Sequence, residues 1–196
     1  GGLFFALEFA ASGVLFYEAL IPAPISAYAA CAVSKLCGYF AFSFPVAFDG
    51  QLEPVQMLSF VAGAVCFGLI GRGFSELLGR TKKLWNEKVE SKYIGIFVAG
   101  CVMAALLIFV HGGRYSGTGE NIISAIFIDG KFYMYDFVLK AVFTIICIAV
   151  GFTGGEMTPL ITIGAAAGAV LSQITGLPLG LAAAAGAVAG YGAATN

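Results

Sequence analysis

Charge is scarce in this sequence. Only 11% of its 196 residues are charged, against roughly 25% in a typical soluble domain. With 60% hydrophobic residues and a mean hydropathy of +0.94, there is too little polar sequence to cover a water-facing surface. That excludes an ordinary soluble fold and places the chain among polytopic membrane proteins. Net charge is −1, so composition gives no case for nucleic-acid binding. The five cysteines (Cys31, Cys37, Cys66, Cys101, Cys147) show no CxxC spacing and have no histidine nearby. They read as small buried hydrophobes, not as disulfides or metal ligands. No basic segment precedes a short apolar run, so a signal peptide of the usual design is not expected. Residue 1 is not Met, and Asn196 follows an uninterrupted small-residue run. The reading is a single transmembrane domain over 1–196, incomplete at both ends.

What is present is a succession of apolar stretches with informative breaks. Residues 3–21 carry Glu8 and Glu18 and close at Ile21-Pro-Ala-Pro24. Residues 25–48 follow, with Lys35 near the middle, and "DGQLEP" (Asp49–Pro54) predicts a polar turn. Residues 55–79 form a third stretch. The segment 79–92, "GRTKKLWNEKVESK", reads as an aqueous loop. Arg72, Arg80, Lys82, Lys83, Lys88 and Lys92 supply six of the chain's ten basic residues. Basic residues beside spans favour the cytoplasm, so this loop is expected to be cytoplasmic.

The second half is different. Tyr93–Val110 is long enough to span, but "HGGRYSGTGE" (His111–Glu120) is polar and Gly-rich. Asn121–Ile128 is too short to cross a bilayer at about 1.5 Å per residue. Phe137–Phe152, Pro159–Ile174 and Pro178–Ala194 are further apolar pieces. Backbone breaks at membrane depth are tolerated where they are buried in protein or line a polar cavity. In transporters such broken helices point their ends at the carried ion. The expected fold is therefore all-α, polytopic, with broken or re-entrant helices. Gly164, Gly168, Gly186 and Gly190 add the small-residue spacing that lets helices pack closely.

The stretch Gly151–Leu160, "GFTGGEMTPL", carries the chemistry. Thr158-Pro159 predicts a helix start, with Thr at the N-cap and Pro in the first helical position. Gly154 and Gly155 predict a backbone turn before it. Free N–H groups and the positive dipole end make a helix start an anion site. The segment 151–175 is thus the expected ion-binding loop and helix N-terminus. Glu156 has two readings. It caps orphan N–H groups, or it marks an ion pathway, as ionisable residues inside membranes do. Both hold together if the cap leaves when an anion arrives.

With these residues in view, the chain resembles the CLC family of anion channels and proton-coupled antiporters. Gly155-Glu-Met-Thr-Pro159, after Gly154, is similar to that family's GxFxP motif. "GGLFFALEF" (Gly1–Phe9) resembles the segment after the first-half anion-binding helices. "GGRYSGTGENII" (Gly112–Ile123) resembles the Gly-rich break of the second half, and "AVAGYGAATN" (Ala187–Asn196) the helix after GxFxP. The resemblance implies the end of the first half plus most of the second inverted repeat. Met157 departs from the usual Phe. Glu156, with Thr158 two residues on, resembles the fluoride/proton antiporter branch.

The implied function is transmembrane fluoride/proton antiport. Anion-binding candidates are Gly155, Glu156, Met157 and Thr158, and proton-coupling candidates are Glu156 and Glu8. Fluoride is small and strongly hydrated, and short strong donors must replace its water in a dry site. A protonated Glu, a Thr hydroxyl and helix N–H groups are such donors. The alternative within the family is a chloride channel or chloride/proton exchanger. A cation transporter is disfavoured, because a helix N-terminus attracts anions; a structural membrane domain is the remaining alternative. The resemblance further implies a homodimer, with residues 11–48 contributing to its interface. The partners are a halide anion, protons and the lipid bilayer of a bacterial plasma membrane. No enzyme activity, catalytic residue, cofactor, metal or nucleic acid is expected. The gating glutamate and the remaining selectivity residues of the family match no position in 1–196.

Other polar residues have local readings. Arg114 and Tyr115 are expected to anchor the Gly-rich segment, and His111 to sit at an interface. Ser116 and Thr118 are expected to satisfy backbone groups. Lys35 and Lys140 stand mid-stretch with no partner legible in the sequence. Snorkelling stems and water-filled cavities are the two readings.

Overall fold

The computed structural model describes residues 21–39, 44, 46, 53–89 and 91–195. The chain divides into two compact units, Gly1–Ser43 and Phe44–Asn196. The first contributes one described helix, α1 (Pro22–Leu36), which starts at the proline pair of the predicted break. Glu8, Glu18 and most of "DGQLEP" lie outside the described residues.

The second unit is helical among its described residues. Its elements are α2 (Pro54–Lys88), α3 (Lys92–Phe109), a short 3-10 turn (His111–Gly113), α4 (Glu120–Phe127), α5 (Asp136–Val150), α6 (Met157–Thr175) and α7 (Leu179–Thr195). Glu53 and Gln56 open α2 with a reciprocal capping box, and Pro54 takes the first helical position. Its 35 residues reach about 52 Å at 1.5 Å each, well past a bilayer core of about 30 Å. The segment expected to be an aqueous loop at 79–92 is instead helix as far as Lys88. The reason is local. It contains no proline, its Lys, Arg, Leu and Glu residues are good helix formers, and Glu76–Arg80 and Lys83–Glu87 pair one turn apart. α2 ends at Lys88, and Val89 is extended.

Three of these helices, α2, α3 and α6, are long and apolar enough to cross a membrane. α6 is longer than expected, because it gains Met157 and Thr158 at its start and Thr175 at its end. The interrupted character of the second half is present in α4, which has eight residues, and in α5, which has 15. Exposed apolar side chains recur along α2 at Leu58, Val61, Val65 and Leu69, one helical face. α3 exposes Phe97, Val102 and Phe109. Water does not tolerate apolar faces of that extent on a monomer, whereas lipid does.

The tightest packing joins α6 to α7. A side-chain carbon built on Gly164 strikes the carbonyl of Gly186, and one on Gly168 strikes that of Ala182. Gly190 meets Leu160 and Gly164. As numbers rise along α6 they fall along α7, so the two helices are antiparallel. Backbones approach this closely only where side chains are absent, the use foreseen for the small-residue spacing. Two apolar clusters flank the pair. One gathers Met103, Tyr115, Ile122, Ile126 and Phe143 against Ala166, Ala169 and Ala183. The other gathers Phe74 and Leu78 of α2 with Ile145, Leu160 and Ile163. Ser75 of α2 donates to the Ala194 carbonyl at 3.0 Å, tying α2 to the end of α7.

Candidate functional site

The site is assembled from two breaks in the helical run. The first lies between α3 and α4. Arg114 of this segment reaches Asp136, at the start of α5, through two N–H groups at 3.3 and 2.8 Å. The Tyr115 hydroxyl donates to the same carboxylate at 2.7 Å, and the Tyr133 backbone N–H at 2.9 Å. Asp136 is fully buried. A buried carboxylate is stable only when paired and hydrogen-bonded, and this one has four donors. The anchoring expected of Arg114 and Tyr115 is therefore made, and α5 is what receives it.

One turn along α5, Lys140 reaches back to the same segment. Its ammonium donates to the Tyr115 carbonyl at 2.9 Å and the Gly117 carbonyl at 2.7 Å. Lys140 is 2% exposed. It does not snorkel. Ser116 closes its own turn on the Gly113 carbonyl at 2.6 Å, the backbone role expected of it. Thr162 of α6 donates at 3.1 Å to the Thr118 carbonyl and is equally near the Thr158 carbonyl. One hydroxyl of α6 thus ties the first turn of that helix to the Gly-rich break.

The second break is 151–156. Gly151 ends α5 with φ +109, a left-handed conformation that a side chain resists. The turn expected at Gly154 and Gly155 is therefore made at Gly151. Neither later glycine has a left-handed φ, and open space surrounds both. Their missing side chains leave the backbone bare. The helix start is also displaced. α6 begins at Met157 with Glu156 at the N-cap position, and the first intrahelical bond runs from the Leu160 N–H to the Glu156 carbonyl at 3.2 Å. Thr158 lies inside the first turn and is not the cap. Pro159 still costs nothing there, because the first four N–H groups of a helix have no intrahelical partner.

These pieces surround a cavity of about 370 Å³. Gly155, Thr158 and Pro159 line it from the α6 side, Tyr115 to Thr118 from the Gly-rich side, and Lys140 and Thr144 from α5. Of the predicted site residues, Gly155 and Thr158 reach the cavity. Glu156 and Met157, on the same exposed turn as these two, do not line it. Glu156 makes no side-chain cap. Its carboxylate lies 3.4 Å from the Lys82 ammonium, at the far end of α2. The capping reading of Glu156 is thus not what its geometry shows. Both partners are nearly half exposed, so the pair is worth little. Lys82→Met is expected to shift stability by less than about 1 kcal/mol, read as a melting temperature in detergent; a larger loss would contradict that accounting. Lys140 is the site residue that sequence reasoning left unassigned. A lysine inside an apolar stretch was the only signal for it.

The family model for voltage gated chloride channels matches residues 1–196. A protein of Pseudomonas syringae pv. tomato named chloride/fluoride channel protein is 30% identical over 203 residues, covering 100% of this chain and 44% of that relative. A solved structure described as a CLC-type fluoride/proton antiporter superposes with a TM-score of 0.90 at 35% identity, over 98% of this chain and 49% of that one. The chain therefore spans about half the length of the proteins it matches.

Proposed function

The chain belongs to the voltage gated chloride channel family, hence to integral membrane proteins, and we propose that it serves fluoride/proton antiport. The anion is held at the start of α6 by Gly155, Glu156, Met157 and Thr158. Glu156 exchanges protons there, with Glu8 as a second candidate carboxylate. The protein works as a homodimer in a bacterial plasma membrane, and the carried ion undergoes no chemical step. One observation carries this reading. A helix start bearing a carboxylate and a threonine opens on a cavity of about 370 Å³ lined by Gly155 and Thr158. Backbone donors, the dipole and a hydroxyl suit a small, strongly hydrated anion. Similarity to a CLC-type fluoride/proton antiporter supports it. The second reading is a chloride channel or chloride/proton exchanger, which the printed name of the Pseudomonas relative keeps open.

The test is ion flux from liposomes holding the full-length protein. Fluoride efflux is expected to exceed chloride efflux and to drive protons inward. Glu156→Gln is expected to abolish the proton movement. Equal or preferential chloride efflux overturns the fluoride reading, and intact proton coupling in Glu156→Gln overturns the role of Glu156.

A further inference from the structure

Lys140 is more than a strut. The buried cluster around the Gly-rich segment contains Arg114, Asp136 and Lys140. Arg114 pairs with Asp136 at 2.8 Å and neutralises it. Asp136 spends its two oxygens on Arg114, Tyr115 and the Tyr133 N–H. Lys140 is left with neutral partners, the Tyr115 and Gly117 carbonyls. Among the described residues no carboxylate lies within ion-pair distance of its ammonium. Among the described residues the cluster therefore carries one positive charge in excess, at a residue 2% exposed. An ammonium has three N–H donors, and the two carbonyls take two. A buried charge without a counter-charge is costly. The same side chain lines the cavity that Thr158 and Gly155 reach from the other side.

We propose that the missing counter-charge is the carried anion: Lys140 forms a second anion subsite of this cavity, between the Gly-rich segment and the start of α6. Its ammonium gives the cavity its preference for anions over cations. Its two carbonyl contacts hold the Gly-rich segment in register with Thr158. The ligand is a small monovalent anion. The inference rests on the anion-transport reading above, and it holds for fluoride or chloride alike.

Three variants of the full-length protein in liposomes separate charge from tethering. Arginine keeps the charge. Glutamine keeps N–H donors and loses the charge. Methionine loses both. Lys140→Gln and Lys140→Met are expected to raise the half-saturating anion concentration about tenfold or more, the loss of one charge-assisted hydrogen bond, while Lys140→Arg stays within about threefold of wild type. A merely structural lysine predicts a different pattern, in which Lys140→Gln half-saturates as wild type does and only melting temperatures change. That pattern overturns the proposal. Should neither neutral variant fold, the wild type decides. Its melting temperature must fall when halide is exchanged for gluconate, and equal melting in the two salts overturns the subsite. If wild-type liposomes release chloride and not fluoride, the fluoride reading fails and the Lys140 comparison is made with chloride.

Discussion

Asp136→Ala is expected to destabilise the protein by about 3 kcal/mol, the lower end of the cost of breaking a buried ion pair from one side. Four donors converge on this carboxylate: two from Arg114, one from Tyr115 and the backbone N–H of Tyr133. Alanine leaves all four without their acceptor. Tyr115 is 2% exposed and cannot turn to water, so it bears the full cost of an unmade hydrogen bond. The Arg114 side chain is 18% exposed and recovers some hydration, which keeps the estimate at the low end. Asp136→Asn keeps the shape and one acceptor oxygen, and should fall between alanine and wild type. The check is thermal unfolding in detergent, followed by aggregation or by loss of a monodisperse elution peak. A loss of under about 1 kcal/mol for alanine would mean that the network is not closed. The consequence extends to transport. Arg114 and Tyr115 belong to the segment that lines the cavity, so under the proposed anion transport Asp136→Asn protein that folds should show slower anion flux.

Gly168→Val should be comparably damaging, through packing and not through charge. A side-chain carbon at Gly168 meets the carbonyl and carbon of Ala182 on α7, which is backbone and cannot swing away. Gly164 and Gly186 form a second such contact one turn along. Relieving the overlap means prising α6 from α7. Overpacking of that kind costs about 3 kcal/mol. Because α6 carries Thr158 at one end, the shift also moves the site. Gly79→Ala is the matched control. That glycine sits in α2 with open space around it, so alanine should gain up to about 1 kcal/mol of helix propensity. Loss of the monodisperse peak in Gly168→Val but not in Gly79→Ala is the expected outcome; equal behaviour of the two would refute the close crossing.

Much of this was legible beforehand because it depends on short-range physics. Scarcity of charge implied a membrane protein whatever the fold. The proline pair at 22–24 and the Gly-rich stretches announced where several helices begin or end, because glycine and proline act on their own backbone. The small-residue spacing in 164–190 anticipated the closest helix crossing. Local reading erred where a neighbouring feature competed. The 79–92 segment is polar enough to be a loop, yet nothing in it breaks a helix before Val89, so α2 continues. Thr158-Pro159 has the composition of a helix start, yet the turn before it already adopts helical geometry from Met157. Gly154 and Gly155 have the composition of a turn, yet Gly151 carries the left-handed backbone.

The sequence by itself determined that this is a polytopic, broken-helix membrane protein with a carboxylate and a threonine beside an anion-favouring helix start. Only the tertiary structure decided which charges meet. Asp136 finds Arg114 from 22 residues away, Lys140 finds the Gly117 carbonyl from 23, and Lys82 finds Glu156 from 74. No periodicity encodes such pairings, because they follow from how α2, α5 and α6 pack against the two breaks. That packing turned an unexplained lysine into the positive wall of the cavity and left Glu156 facing outward, paired across the structure to α2.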